Sequence, residues 1–287
     1  MEETYKKTGS GFMLNLEPSP IDKRDYIAET IYPDEITLPK KVDLRPYLSE
    51  IVNQGSQGTC SAQVAKVMKE YQEYKLQKLT GEIGVMSAQF VYNLREEPDY
   101  QGMTPRETMK IVQKYGICRE VLYPYGTVEY PMYIPDYAYT DATNFRWENY
   151  AQVNTIDGAK KALYKDGVCY ICFPVYNEGM ELWKAQQGDS DMGGHAMALV
   201  GYDDEKEHFI IRNSWGKSWG DKGYTYYPYA DFGAHWEIWS AVDTQSTWPE
   251  IDINEYKQPL TAKTLLWVGF GILLANVFFG VNGKTKS

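Results

Sequence analysis

Three residue types that together break acyl bonds stand in order in this chain. They are Cys60 after the turn-rich NQGSQG, His195 inside GGHAMALVGY, and Asn213 at the head of NSWGKSWGDKGY. A thiol becomes a strong nucleophile on deprotonation, an imidazole suits the role of its base, and an amide can fix which imidazole nitrogen keeps a proton. The chemistry this set suits is attack on a peptide carbonyl through a thioester acyl-enzyme. Gln54, upstream in the same Gly/Ser loop, offers a side-chain amide that could join the Cys60 backbone N–H in holding an oxyanion. Trp215 and Trp219 follow Asn213 closely and could keep water from a His195–Asn213 contact. Gly193 and Gly194, just before His195, suggest a narrow, backbone-lined wall beside the scissile bond.

These residues need elements to position them. The run CSAQVAKVMKEYQEYKLQKLTG places Val64, Val67, Tyr71 and Tyr74 at helical spacing, with Gly81 as its terminator. Cys60 then sits at a helix start, where unpaired amides and the helix dipole are expected to hold its thiolate below the free value of about 8.5. A second helix is predicted to begin near Met86, carrying Phe90, Val91 and Leu94. A third is announced by TPRETMKIVQKYG, in which Thr104 caps, Pro105 takes the first position, Glu107 completes a capping box and Gly116 ends the helix. The Tyr/Pro-rich YPYGTVEYPMYIPDYAY reads as a long ordered loop.

From about residue 150 the pattern changes. IDGAKKALYKDG is one short helix, and VCYICFPVY, HAMALVGY, EHFIIRN, GYTYYPY and HWEIWSAVD read as strands of a mostly antiparallel sheet, with YDDEKE as a hairpin connection. Residues 1 to about 40 are polar and Pro-punctuated, ending in TLPKKVDLRPYL, and are expected to lie extended over a surface. The class is α+β.

Composition narrows the function. With 43% hydrophobic and 15% aromatic residues, the 287-residue chain can build a substantial core. A net charge of −10 and no basic cluster argue against nucleic acid as a partner. Cys60, Cys118, Cys169 and Cys172 are too few for a disulfide framework, no Asn-x-Ser/Thr site occurs, and the polar N-terminus lacks a leader-like apolar run. These features fit a reducing, cytosol-like compartment. Cys169 and Cys172 form a C-x-x-C inside an apolar strand, where they face opposite sides and cannot converge on a metal. No metal or cofactor is expected, and His208 and His235 read as sheet residues.

One composition shift is large. Residues 264–281, TLLWVGFGILLANVFFGV, carry no charge and are bounded by Lys263, Lys284 and Lys286. As a helix they would cover roughly 27 Å, so one C-terminal membrane span is expected after a linker over 246–263. A protein-buried helix is the alternative, to which Asn276 and the glycines lend weight. GFGILLA lacks the third glycine and preceding strand of a nucleotide loop, and Gly271 with Ala275 reads better as a helix-packing face.

Through QGSQGTC, GGHAMALVGY and NSWGKSWGDKGY the chain resembles the papain-like cysteine peptidases, from about Val42 to Asp243. SPIDKRDY and LPKKVDLRPYL are similar to the lead-in of the family's bacterial, archaeal and viral members. The resemblance implies a helical lobe (about 42–140) facing an antiparallel, β-barrel-like lobe (about 141–245), with a groove between them and an extended N-terminal segment over 1–41. It further implies Cys60 as nucleophile, His195 as general acid/base, Asn213 as its orienter, Gln54 as oxyanion donor and Trp215 as shield. Two departures stand out: Gln57 where many members carry a disulfide cysteine, and Ser61 in place of the usual aromatic. The long helical propeptide of lysosomal members is missing, so control is expected from elsewhere, with the N-terminal segment lying in the groove as one route. The expected function is a tethered endopeptidase acting on peptide or protein substrates. Alternatives are a transpeptidase, in which an amine takes the acyl group, and a structural or binding component of a virion or envelope assembly whose tail is buried in protein.

Overall fold

The computed structural model describes residues 6–32, 35–77, 85–126 and 134–243. In chain order the elements are β1 (Lys41–Asp43), α1 (Cys60–Gln77), α2 (Ala88–Asn93), α3 (Pro105–Tyr115), α4 (Asp136–Ala142), β2 (Trp147–Gln152), α5 (Ile156–Lys165), β3 (Cys169–Pro174), β4 (Gly194–Asp203), β5 (His208–Arg212), β6 (Tyr224–Pro228) and β7 (Glu237–Asp243). The strands form one sheet in the order β2-β7-β3-β4-β5-β6, with β1 added to β4, and every pairing is antiparallel. The terminal strands β2 and β6 do not pair with each other among the described residues, so the sheet is open where a barrel-like closure was expected.

Strand β4 is the spine of the sheet. It pairs with β3 through Gly194–Leu199 and with β1 through Gly201–Asp203, while β5 runs along its other edge. All its residues are buried, as its nearly unbroken apolar sequence requires, and α1 packs against it.

Local chemistry accounts for most of the helix ends. In α3 both arms of the capping box form: Glu107 N–H donates to Thr104 Oγ1 at 3.3 Å and Thr104 N–H to Glu107 Oε2 at 3.2 Å. Helix α2 begins later than predicted because Ser87 is its cap, accepting the Phe90 N–H at 3.0 Å, while Met86 bridges to Arg119.

The Tyr/Pro-rich segment departs further from expectation. It runs into α4, which starts directly after Pro135 with Asp136 in its first turn, where negative charge is favoured. Tertiary contacts decide this. Ala138 and Ala142 pack with Phe90, Cys118, Tyr123 and Ile134. The Arg119 guanidinium and backbone grip Asp141, with Nε to Oδ1 at 3.0 Å and N to Oδ2 at 2.8 Å. A planar fork of this kind holds a buried carboxylate better than one point charge could.

The N-terminal segment wraps the surface as a belt. Arg106 Nε donates to Asp25 Oδ1 at 2.9 Å, the Ser19 N–H donates to Glu237, and Gln152 N–H donates to the Tyr26 carbonyl at 2.8 Å. Glu29 Oε1 accepts the Asn154 and Thr155 N–H groups at 2.8 Å each, satisfying amides at the start of α5 from outside the helix. Tyr32 then donates to Asp166, which also accepts Ser240 Oγ at 2.6 Å.

All four cysteines are free and buried, and Cys169 and Cys172 lie opposite Leu199 and Ala196 in the β3–β4 register. The linker over 246–263 and the apolar run over 264–281 lie outside the described residues. Among the described residues no helix is long and apolar enough to cross a membrane.

Gly116 ends α3 at φ 84°, and a Cβ there would stand 1.7 Å from the Ala142 carbonyl oxygen. Gly116→Ala is therefore both strained and overpacked at the α3–α4 contact. It should cost at least about 2 kcal/mol in urea unfolding, whereas an unchanged midpoint would contradict this packing.

Candidate active site

Cys60 is the first residue of α1, and the turn before it is shaped by close approach. A Cβ at Gly58 would lie 1.8 Å from the Gln101 carbonyl oxygen, so only glycine lets this turn settle against the helical lobe. The Gln63 N–H donates to the Thr59 carbonyl at 2.8 Å, starting the helix one residue before the thiol.

The two distant sequence segments are stitched together by backbone. Gln54 N–H donates to the Ser214 carbonyl at 2.8 Å, Gly216 N–H to the Val52 carbonyl at 2.9 Å, and Asn53 bridges Trp215. Ala196, next to His195 on β4, directs its N–H toward the Cys60 thiol. Cys60, His195 and Asn213 are thus drawn into one place by β4, the start of α1 and the end of β5.

His195 Nε2 and Asn213 Oδ1 are 2.7 Å apart. Oδ1 also accepts the Ser214 N–H at 2.7 Å, and because a backbone N–H can only donate, this contact identifies Oδ1 as the acceptor. Nε2 therefore carries the ring proton. Nδ1 is left as the basic nitrogen, and it is buried without a hydrogen-bond partner among the described residues. Trp215 lies against the imidazole with ring centroids 4.5 Å apart, and Trp219 meets Trp215 edge-on at 5.6 Å.

Gln54 is buried with both ends of its amide engaged. Oε1 accepts Ser214 Oγ at 2.7 Å and Nε2 donates to the Gln57 carbonyl at 3.1 Å. Its donor is thus close to the start of α1 but committed to its own loop in this state.

The protonation states correct one expectation. Burial pushes the Cys60 thiol up to about 11, and the Ala196, Ser61 and Cys60 N–H groups offset only part of this, so the helix start does not yield a thiolate here. Burial likewise pushes the His195 imidazole down to about 4, with the Asn213 bond pulling the other way. Burial thus opposes charge on both the thiol and the imidazole.

The cover is the chain's own N-terminus. Lys6 to Leu14 form a small hairpin, with Leu14 N–H donating to the Lys6 carbonyl and Thr8 N–H to the Phe12 carbonyl, both at 2.9 Å. Its tip is held by Glu178, which accepts the Ser10 N–H at 2.7 Å and Ser10 Oγ at 2.6 Å. Phe12 stacks on Trp215 with centroids 4.9 Å apart and planes 1° apart. Gly194 N–H donates to the Leu14 carbonyl at 2.9 Å, and Tyr100 Oη donates to the Asn15 carbonyl at 2.7 Å from the helical lobe.

The strap rests on Gly193 and Gly194, the residues expected from sequence to line a substrate wall. A Cβ at Gly193 would lie 2.2 Å from the Leu14 oxygen, and one at Gly194 would lie 2.2 Å from the Leu16 oxygen. Met13, Leu14 and Leu16 are buried, and Cys60 and His195 are only 2% and 0% exposed. Cavities of about 640 and 360 Å³ lie where residues 17–25 pass Arg106, and neither is lined by Cys60 or His195.

His208 stacks near Tyr226 at the sheet edge, and His235 meets Tyr227 Oη at 2.9 Å; neither joins the thiol. Sequence reasoning passed over Phe12, Glu178, Ser214 and Tyr125. Only Ser214, adjacent to Asn213, had a local signal.

Comparison with known proteins identifies the family. The profile of the papain family cysteine proteases matches residues 38–235. The chain is 31% identical to cathepsin K of Mus musculus over 240 residues, covering 78% of this chain and 68% of that protein. It is 29% identical over 250 residues to an uncharacterized peptidase C1-like protein of Acanthamoeba polyphaga mimivirus, covering 78% and 75%. Among solved structures it is similar to xylellain, a cysteine protease from Xylella fastidiosa, with a TM-score of 0.70 and 27% identity over 85% of this chain and 100% of that one. It shares its fold with digestive procathepsin L 3 of Tenebrio molitor, at a TM-score of 0.59 and 18% identity over 83% of this chain and 76% of that one. With the family profile spanning well over half of its length, the chain belongs to the papain family of cysteine proteases.

Proposed function

We propose that this protease is an endopeptidase that works through Cys60, His195 and Asn213 and rests in a latent state beneath residues 6–16. The observation that carries the reading is the unpartnered Nδ1 of His195, whose opposite nitrogen is tied to Asn213 Oδ1 at 2.7 Å. That nitrogen takes the Cys60 proton as Sγ attacks the substrate carbonyl. The Cys60 N–H and Gln54 Nε2 receive the oxyanion once Gln54 turns from the Gln57 carbonyl. Collapse breaks the C–N bond, the leaving amine takes the proton from His195, and water then attacks the thioester with His195 as base. Trp215 and Trp219 exclude water from the imidazole–amide contact.

Latency follows from the same contacts. A substrate chain needs the Gly193–Gly194 wall and the face of Trp215, and the strap holds both. In a fluorogenic peptide assay, removal of residues 1–16 should raise hydrolysis at least about tenfold. Cys60→Ala or His195→Ala in that shortened chain should lower the rate on the order of a thousandfold or more. Equal activity with and without the strap would sink the latency, and an active Cys60→Ala protein would sink the site.

The uncharged run over 264–281 supports a tether to a membrane or to an apolar protein surface, with the catalytic part in a reducing compartment. Full-length protein should stay with the membrane pellet after carbonate washing, and a chain ending at Lys263 should not. Equal release of both would contradict the tether.

A further inference from the structure

We propose that Tyr125 is a positioning residue for the oxyanion site, an inference that rests on the peptidase reading above. Its phenol sits between the two ends of the turn that precedes α1. Tyr125 Oη lies 2.7 Å from the Gln54 carbonyl oxygen and 2.8 Å from Thr59 Oγ1. A carbonyl can only accept, so the single phenolic proton goes to Gln54, and the Thr59 hydroxyl donates to the phenol oxygen.

This places one atom between the two groups that hold the oxyanion. Gln54 carries the side-chain donor, and Thr59 immediately precedes the Cys60 N–H. Both are almost fully buried, at 1% and 0% exposure, so neither has water as a substitute partner. Other contacts steer the Gln54 side chain, through Ser214 Oγ at 2.7 Å, and start α1, through the Thr59 carbonyl. The phenol sets the spacing between those two fixed pieces.

Tyr125 is itself held in place for this task. Its N–H donates to Glu120 Oε1 at 2.7 Å, and the next amide, Gly126 N–H, donates to Gln89 Oε1 at 2.9 Å. The turn is thus braced from α2 and from the segment leading out of Arg119. Loss of the phenolic oxygen leaves two buried groups without that partner and lets the turn relax. A shift well under the length of a bond then weakens donors that act only on the transition state.

Two small reagents acting on Cys60 in the full chain separate this role from general support. p-Nitrophenyl acetate acylates the thiol: the S–C bond forms, the aryl ester C–O bond breaks, p-nitrophenolate leaves, and the thiol proton passes to His195. This route passes through an oxyanion. Iodoacetamide alkylates the same sulfur, forming S–C as C–I breaks and iodide leaves, with the thiol proton passing to His195 and no oxyanion formed. Both reagents pass the same strap, so its opening cancels in the ratio of their rates.

Tyr125→Phe should slow acylation about tenfold while alkylation stays within about twofold. An equal change in both rates, or in neither, overturns the proposal. Failure of both reagents to modify Cys60 even in the chain lacking residues 1–16 overturns the peptidase reading and this inference with it. Should Tyr125→Phe lose its cooperative melt, Thr59→Val removes one of the two ties and Thr59→Ser retains it. The ratio should fall in the first and hold in the second, and equal ratios in the two would also count against the role.

Discussion

A thiol and an imidazole removed from water cannot carry opposite charges cheaply, and that constraint governs everything observed around Cys60. The helix start and three N–H groups favour a thiolate, yet burial outweighs them and lifts the thiol to about 11 while lowering the imidazole to about 4. Cys60, His195 and Asn213 therefore lie together while burial disfavours charge on the first two, and Gln54 is still turned to its own loop. Asn213 already sets the tautomer, and the basic Nδ1 has no hydrogen-bond partner among the described residues. On the proposed reading a cover, and not a rearrangement of Cys60, His195 and Asn213, separates geometry from reactivity.

The cover exploits the features that suit the groove to a peptide. Two glycines on the edge of β4 let a backbone come within reach of main-chain groups, and Trp215 offers an aromatic face. Phe12, Leu14 and Leu16 use both. The N-terminal segment is held unevenly along its length. Residues 19–32 are fastened by Arg106, Glu237, Gln152 and the start of α5, with charged and backbone partners throughout. Residues 6–16 are held by the buried side chains of Met13, Leu14 and Leu16, the Phe12–Trp215 stack, backbone bonds and the Glu178 latch. The part over the thiol is thus fastened chiefly by apolar burial, and the part around β7 and α5 by charged and backbone partners.

Much of this was legible from local sequence, where short-range chemistry decides the outcome. The capping box of Thr104 and Glu107, the placement of Cys60 at a helix start and the strand character of HAMALVGY all depend on near neighbours. The order of Cys60, His195 and Asn213 pointed to the cluster before any fold was known. What stayed hidden depends on contacts distant in the chain. Helix α4 follows a Tyr/Pro-rich run that reads as loop until Arg119 and the Phe90 cluster claim it. The raised Cys60 thiol has no local signal, because spacing reports the amides beside a thiol and says nothing of what covers it. Tyr125 carried no signal, since its partners Gln54 and Thr59 lie far upstream.

The central claim, a competent thiol–imidazole pair silenced by its own N-terminal cover, is tested most directly by the pH dependence of Cys60 alkylation. In the intact chain the rate should keep rising through pH 10, toward a midpoint near 11. In a chain lacking residues 1–16, hydration and the helix start should bring the midpoint below about 8.5. The same midpoint in both proteins would contradict the account.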